Sequence, residues 1–429
     1  MDDTWIRHWQ PVIKVFDPIE KFHLAGDPGH FHVSRPDSPL NQLEMSLRLS
    51  PDAPRAITLT GHRGSGKTSE LVQLTQRLNE RMTIIWMDAG KRLDYRDFGH
   101  VELFLMLAAT VHDYWPVPKE FEGFANRLAT VTREKLGEAS ATMVLDHVKT
   151  LGAEGRITLF NRTTRETLEV PLVLGSLVDG LNRLLKAAAV KAGGKPLLLI
   201  VDGTQNLDLE TARPIFVNNS LLADLHCHLI MTIPFALYAS AAQSESRQQG
   251  IEPFFVPNVK LHEQGQAELN PDGLALMEEI VARRLAHANA PDRLEPAALR
   301  RFVEMSGGVI RELIYLVNKA CVQATIERSP QITLPIAETV VAQYRLDKAW
   351  GLPYDYFYEE LVKVHQAGAL TDRRAKDEQG QEFVICDRLL HSLYLLGYRN
   401  GGPWFDVHPL VWPLVESYLK RTDRGLLTP

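Results

Sequence analysis

Eight residues, Gly61-His62-Arg63-Gly64-Ser65-Gly66-Lys67-Thr68, constrain this chain more than any other stretch. They satisfy the spacing G-x-x-x-x-G-K-[ST], follow the apolar run Ala56–Thr60, and open a helical pattern that continues through Leu78. Glycines at these positions let successive backbone N–H groups wrap phosphate oxygens, and the N-terminus of the following helix adds a favourable dipole. Lys67 is placed to reach the β and γ phosphates and Thr68 to hold Mg²⁺, with Gly61, Gly64, Ser65, Gly66 and Ser69 completing the cradle. A strand, a phosphate loop and a helix in that order predict a parallel sheet covered by helices.

The rest of the chain supplies such a sheet. Ala56–Thr60, Met82–Met87, Leu197–Val201, Leu229–Ile233 and Phe254–Leu261 are short, continuous apolar runs, as strands buried on both faces require. Between the second and third lies a long insertion, 88–196, helical in pattern around Phe98–Tyr114 and Val173–Ala192. A hairpin is expected within it, at Arg156–Phe160 and Thr167–Val170 around Asn161–Glu166. Past Gly265 the strand signal stops, and Leu274, Met277, Ile280 and Val281 begin a run at helical spacing. The expected organisation is a lead-in segment (1–50) with an amphipathic helix at Leu40–Leu49, a phosphate-loop core (51–265), a helical lid (266–350) and a C-terminal domain (351–429). In the last, helical stretches at Tyr354–Ala367 and Phe383–Leu396 precede an aromatic hairpin in Tyr398–Trp412, a winged-helix-like order.

A phosphate loop needs a second metal-binding acid at the end of a neighbouring buried strand. Leu197-Leu198-Leu199-Ile200-Val201-Asp202 supplies it, with Asp202 acting on Mg²⁺ through its water shell. The next residues, Gly203-Thr204-Gln205-Asn206, contain no carboxylate to activate water. Gln205 is the candidate for orienting that water, with Asp208 a more distant acid.

With these residues the stretch from about Leu40 to Leu316 resembles the AAA+ and STAND branch of P-loop ATPases. Strand Leu229–Ile233 carries Thr232 where that branch has its sensor 1 residue. Ser306-Gly307-Gly308-Val309-Ile310-Arg311-Glu312-Leu313 is similar to the sensor 2 motif, in which an arginine at the start of a lid helix reaches the γ-phosphate; Arg311 is the matching residue. Arg247 falls in the region that carries the arginine finger. Val201–Asn206 resembles the Asp-Gly-x-Asp-Glu pattern of NACHT-type STAND proteins, with Gln205 and Asn206 replacing both later acids. That departure implies a switch that holds ATP and hydrolyses it slowly. Gly397–Val411 resembles the end domain of bacterial ATPases from conflict and anti-phage systems.

The resemblance implies ATP and Mg²⁺ as cofactors, a homo-oligomer, and a separate effector protein in a defence system. The alternative reading is a DNA-dependent AAA+ ATPase of the initiator, loader or transposition-regulator kind, acting through its winged helix. Charge counts against DNA: the net charge is −6, and residues 352–429 carry nine Lys and Arg against eleven Asp and Glu. Three cysteines, Cys227, Cys321 and Cys386, form no CxxC pair, which excludes a disulfide framework and fits a reducing cytoplasm. No apolar run reaches the length of a membrane span. His226, Cys227 and His228 lead into a strand and are expected to be packing residues, as are Trp404, Phe405 and Trp412.

Overall fold

The computed structural model describes residues 3–18, 31–92, 95, 98–151, 157, 159–160, 167–168, 171–217, 220–239, 247–266, 268–400 and 402–423. The chain divides into two compact units. One is Pro39–Thr60 with Gln73–Phe255, and the other is Met1–Ser38, Gly61–Val72 and Val256–Pro429.

The first of these is built on the expected α/β sheet. Strands β1 (Ala56–Thr60), β2 (Thr83–Asp88), β3 (Leu197–Asp202), β4 (His228–Thr232) and β5 (Ile251–Phe255) pair in the order β2-β3-β4-β1-β5. Every pairing is parallel. Every residue of β1, β3 and β4 is buried, which is why these three read as unbroken apolar runs. The fifth strand begins three residues earlier than its sequence signal and ends at Phe255. It pairs only with β1, so Pro253, which cannot donate to a ladder, is tolerated at this edge.

Helices His100–Tyr114, Pro118–Leu136, Glu138–Thr150 and Pro171–Lys191 fill the long insertion and share one apolar core with the sheet. His100–Tyr114 is buried from His100 to Val111, so its apolar residues show no one-sided stripe. Most of the expected hairpin at 156–170 lies outside the described residues. Of the remainder, Ile157 donates its N–H to the Arg92 carbonyl at 2.8 Å, and Leu168 is buried in the same core.

In the other unit the helices Pro271–His287, Pro296–Ser306, Ile310–Glu327 and Leu334–Ala349 surround a second apolar core. The N-terminal helix Asp3–Val15 joins it: Trp9 and Val12 are fully buried, and the Trp9 indole donates to the Ser329 carbonyl. C-terminal to these lie helix Asp355–Ala367, a short pair β6 (Arg374–Lys376) and β7 (Glu382–Val384), and helix Ile385–His391. The antiparallel pair β8 (Leu395–Asn400) and β9 (Gly402–Val407) and helix Trp412–Asp423 follow. The expected helix Phe383–Leu396 is thus shorter at both ends: Phe383 and Val384 pair with β6, and Leu393 takes a left-handed conformation (φ 59°) where the chain turns into β8. Among the described residues no helix is long and apolar enough to cross a membrane.

Candidate functional site

The loop after β1 adopts backbone angles that only glycine takes readily. Gly61, Gly64 and Gly66 have φ of 149°, 92° and 99°. Two of them are also crowded: a Cβ on Gly61 would collide with the Val256 carbonyl, and one on Gly64 would lie 2.6 Å from Cβ of Arg311. Ser65 N–H closes the turn on the His62 carbonyl at 3.0 Å, and helix Lys67–Leu78 begins at once. Lys67 is buried, with Nζ donating to the carbonyls of Gly61 (2.8 Å) and His62 (2.9 Å). Its ammonium therefore sits within the curl of the loop, where an anion would meet it.

Arg311 reaches the same loop. Its backbone N–H donates to the Gly64 carbonyl at 3.2 Å, and its side chain is exposed. Helix Ile310–Glu327 thus starts against the phosphate loop, and the structure brings Gly61–Ser69 and Arg311 together in one unit.

Two further residues hold this loop and were not legible in the sequence. Arg35, buried, donates from Nε (3.2 Å) and Nη2 (3.1 Å) to Oε1 of Glu70, and from Nη1 to the carbonyls of Ser65 (3.1 Å) and Pro257 (3.0 Å). Glu70, in the first turn of the loop's helix, also accepts from Ser38 Oγ at 2.6 Å and lies 3.5 Å from His32. Burial opposes ionisation of Glu70, but His32, Arg35 and Ser38 outweigh it and hold the carboxyl at about 2. A stretch rich in turn formers carries no periodicity, so nothing marked Arg35 as a partner of the loop.

Asp202, Gln205 and Thr232 meet in the other unit, at the C-terminal ends of the neighbouring strands β3 and β4. Asp202 is buried at the end of β3. Gly203 N–H donates to Thr232 Oγ1 (3.0 Å) and Gln205 Oε1 (3.1 Å), and the Thr232 hydroxyl donates to Gln205 Oε1. The amide oxygen of Gln205 is therefore committed to the turn that follows Asp202. Asp208 caps helix Leu209–Phe216, accepting the Thr211 N–H at 2.7 Å. Arg247 is exposed, and its carbonyl accepts the Gly250 N–H.

His228 bonds the Pro51 carbonyl at 2.8 Å, His226 is exposed and Cys227 is buried. Among the described residues no group of three or more His, Cys, Asp or Glu side chains gathers as for a metal. Trp404 is buried and stacks on Tyr398 with ring centroids 4.5 Å apart.

The loop fits a phosphate-bearing ligand by three observations. It has the left-handed glycine turns and an inward lysine ammonium, and Ser65 Oγ is buried with no hydrogen-bond partner among the described residues.

No protein-family model matches this chain, and no curated protein sequence matches it. Among solved structures it is similar to the Aeropyrum pernix ORC1 protein, solved in complex with DNA, at 12% identity over 93% of this chain and 96% of that one, with a TM-score of 0.45. It is similar also to Cdc6p from Pyrobaculum aerophilum (12% identity, 92% and 99% covered, TM-score 0.37). A third is the RuvB Holliday junction branch migration motor of Thermotoga maritima (11% identity, 94% and 98% covered, TM-score 0.38).

Proposed function

We propose that this chain is an AAA+ type P-loop ATPase that works as a nucleotide-controlled, self-assembling switch. The observation that carries the reading is the seating of Arg311 on Gly64: the start of a lid helix is bonded to the loop that would hold the phosphates. A change in the loop's contents must then move the lid or strain that bond.

In this reading Lys67 leaves the carbonyls of Gly61 and His62 for the β and γ phosphates, while the N–H groups of Gly64–Thr68 orient them. Arg311 senses the γ-phosphate from the lid, and Thr232 does so from the end of β4. Thr68 and Asp202 are the residues that would hold Mg²⁺, which would neutralise phosphate charge. Arg247 is the candidate arginine finger toward a second copy. Gln205 supplies no carboxylate, and its oxygen is already bonded to Gly203 and Thr232, which supports slow hydrolysis.

The resemblance of Gly397–Val411 to the end domain of defence ATPases supports a role in a bacterial anti-phage system, with a separate effector protein doing the damage. Against the DNA-dependent alternative stand the carboxylates beside two of the C-terminal cations. Arg373 meets Glu359 at 2.7 Å and Arg374 meets Glu382 at 3.8 Å, which lowers the positive potential that phosphates would meet there.

The test is particle mass with Mg-ATP, Mg-ADP or no nucleotide, for wild type and Lys67→Ala, with phosphate release recorded with and without duplex DNA. Larger particles only with ATP, and slow release indifferent to DNA, are expected. Lys67→Ala should weaken Mg-ATP binding by about 100-fold, the loss of a charge-assisted contact. Release raised many-fold by DNA at low salt would replace the switch with a DNA-dependent machine. Normal Mg-ATP binding by Lys67→Ala would overturn both.

A further inference from the structure

The second residue of the phosphate loop is bonded to the far end of the chain. His62 is 1% exposed, and its Nε2 accepts the backbone N–H of Gly397 in β8 at 2.7 Å. The strand register explains why that N–H is available. Gly397 stands opposite Phe405, whose own N–H donates away from the pair, to the Gly368 carbonyl at 3.0 Å. In a non-hydrogen-bonded pair of an antiparallel ladder both N–H groups point outward. The outer edge of β8 at Gly397 is thus met by the phosphate loop itself.

The same strand pair is tied to the turn that leads to Arg311. The Tyr398 hydroxyl donates to the Gly307 carbonyl at 3.1 Å, and a Cβ on Gly307 would strike the Leu396 side chain. Val309, Leu393 and Leu396 form one buried apolar cluster against Tyr398. One hairpin therefore holds, at adjacent residues, both His62 of the loop and the Gly307 turn.

Resting on the nucleotide reading above, the geometry points to a latch: the β8–β9 hairpin is docked on the phosphate loop through Gly397 and His62, and nucleotide entry releases it. The His62 carbonyl is one of the two that hold Lys67 Nζ in this state. Drawing Lys67 to phosphate removes that bond and shifts the backbone that carries the His62 ring. The bond to Gly397 is buried and directional, so a shift of about an ångström breaks it. The freed Gly397 N–H must then find water, which moves the hairpin outward. Burial keeps the His62 ring neutral, so that Nε2 remains an acceptor.

Amide hydrogen exchange across 395–407, with and without Mg-ATP, tests the latch, alongside direct binding of a fluorescent ATP analogue. In the wild type, nucleotide should speed exchange at Gly397 by about tenfold or more. His62→Phe keeps the bulk and removes the acceptor, and should show that fast exchange without nucleotide. His62→Gln keeps an acceptor and should retain protection. Should His62→Phe fail to fold, Tyr398→Phe removes the second tie and should loosen the hairpin to a smaller degree. Analogue binding with no change at Gly397 overturns the latch and leaves the nucleotide reading standing. No analogue binding by the wild type overturns both.

Discussion

The phosphate loop and the turn after Asp202, each in its own unit of the chain, are held in different ways. At the end of β3 and β4, Gly203, Gln205 and Thr232 satisfy one another, and Tyr95 donates its hydroxyl to the Gly203 carbonyl at 3.0 Å, so the turn after Asp202 is closed by β4 and by the segment after β2, the two neighbours of β3 in the sheet. The phosphate loop is held from far along the chain, by Arg35 before it, by Arg311 at the start of helix Ile310–Glu327, and by Gly397 in the C-terminal hairpin. A turn closed by the strands beside it has its ties within the sheet. A loop held by three distant segments is coupled to their positions, and any such coupling is reciprocal.

Removing one distant tie should therefore cost far more than trimming the local turn. The largest effect is expected for Arg35→Met, which leaves the buried Glu70 carboxylate to Ser38 and His32 and takes the guanidinium from the Ser65 and Pro257 carbonyls. Breaking one side of a buried pair costs about 3–5 kcal/mol, read as a lower denaturant midpoint at unchanged slope. Arg35→Lys should recover only part of it, since an ammonium cannot reproduce the four donations of the fork. A loss under about 1 kcal/mol would show that water replaces the tie, and the contrast between the loop and the Asp202 turn would fail.

Acid should act on the distant ties next. His62 is pushed down to about 3, first by burial and then by Lys67, and His408, buried beside Lys348 and His62, is lowered well below its ordinary value. Below the ordinary histidine pKa of 6.5 the unfolded chain takes up protons that the folded chain refuses. Stability should thus be full above pH 6.5 and fall as pH drops toward 3, by up to about 1.4 kcal/mol per pH unit for each such histidine. Glu70, held at about 2, extends the loss below pH 4.5 in the same direction. Unfolding midpoints from pH 7.5 to 5 for wild type and His62→Gln measure it, and the variant should show the shallower slope. Equal slopes would place the proton uptake on His408 and His228 instead.

How much of this was legible in the sequence follows the same division. The phosphate loop is contiguous, β1, β3 and β4 are buried on both faces, and Ser306–Leu313 is a local run; each leaves its mark within about ten residues, and the structure has strands β1 to β4 within one residue of their apolar runs. Arg35 with Glu70 spans 35 residues and His62 with Gly397 spans 335. Their partners are single polar groups, one of them a backbone N–H, and a backbone donor has no signature in a one-letter code. Helix Phe383–Leu396 is shorter than its pattern for a related reason: Phe383 and Val384 pair with β6, and Leu393, apolar at the right spacing, has a left-handed backbone at the turn into β8.

The smallest expected effect comes from the segment that follows the Asp202 turn. Asp208 is exposed and accepts one N–H, that of Thr211, at the start of helix Leu209–Phe216. Asp208→Ala should cost about 1 kcal/mol, the ordinary worth of an N-cap, and leave Mg-ATP binding unchanged, because no segment from elsewhere in the chain depends on it. The same variant separates two uses of this carboxylate. If phosphate release falls many-fold while stability drops only by the cap's worth, Asp208 reaches the attacking water and carries the chemistry that Gln205 lacks.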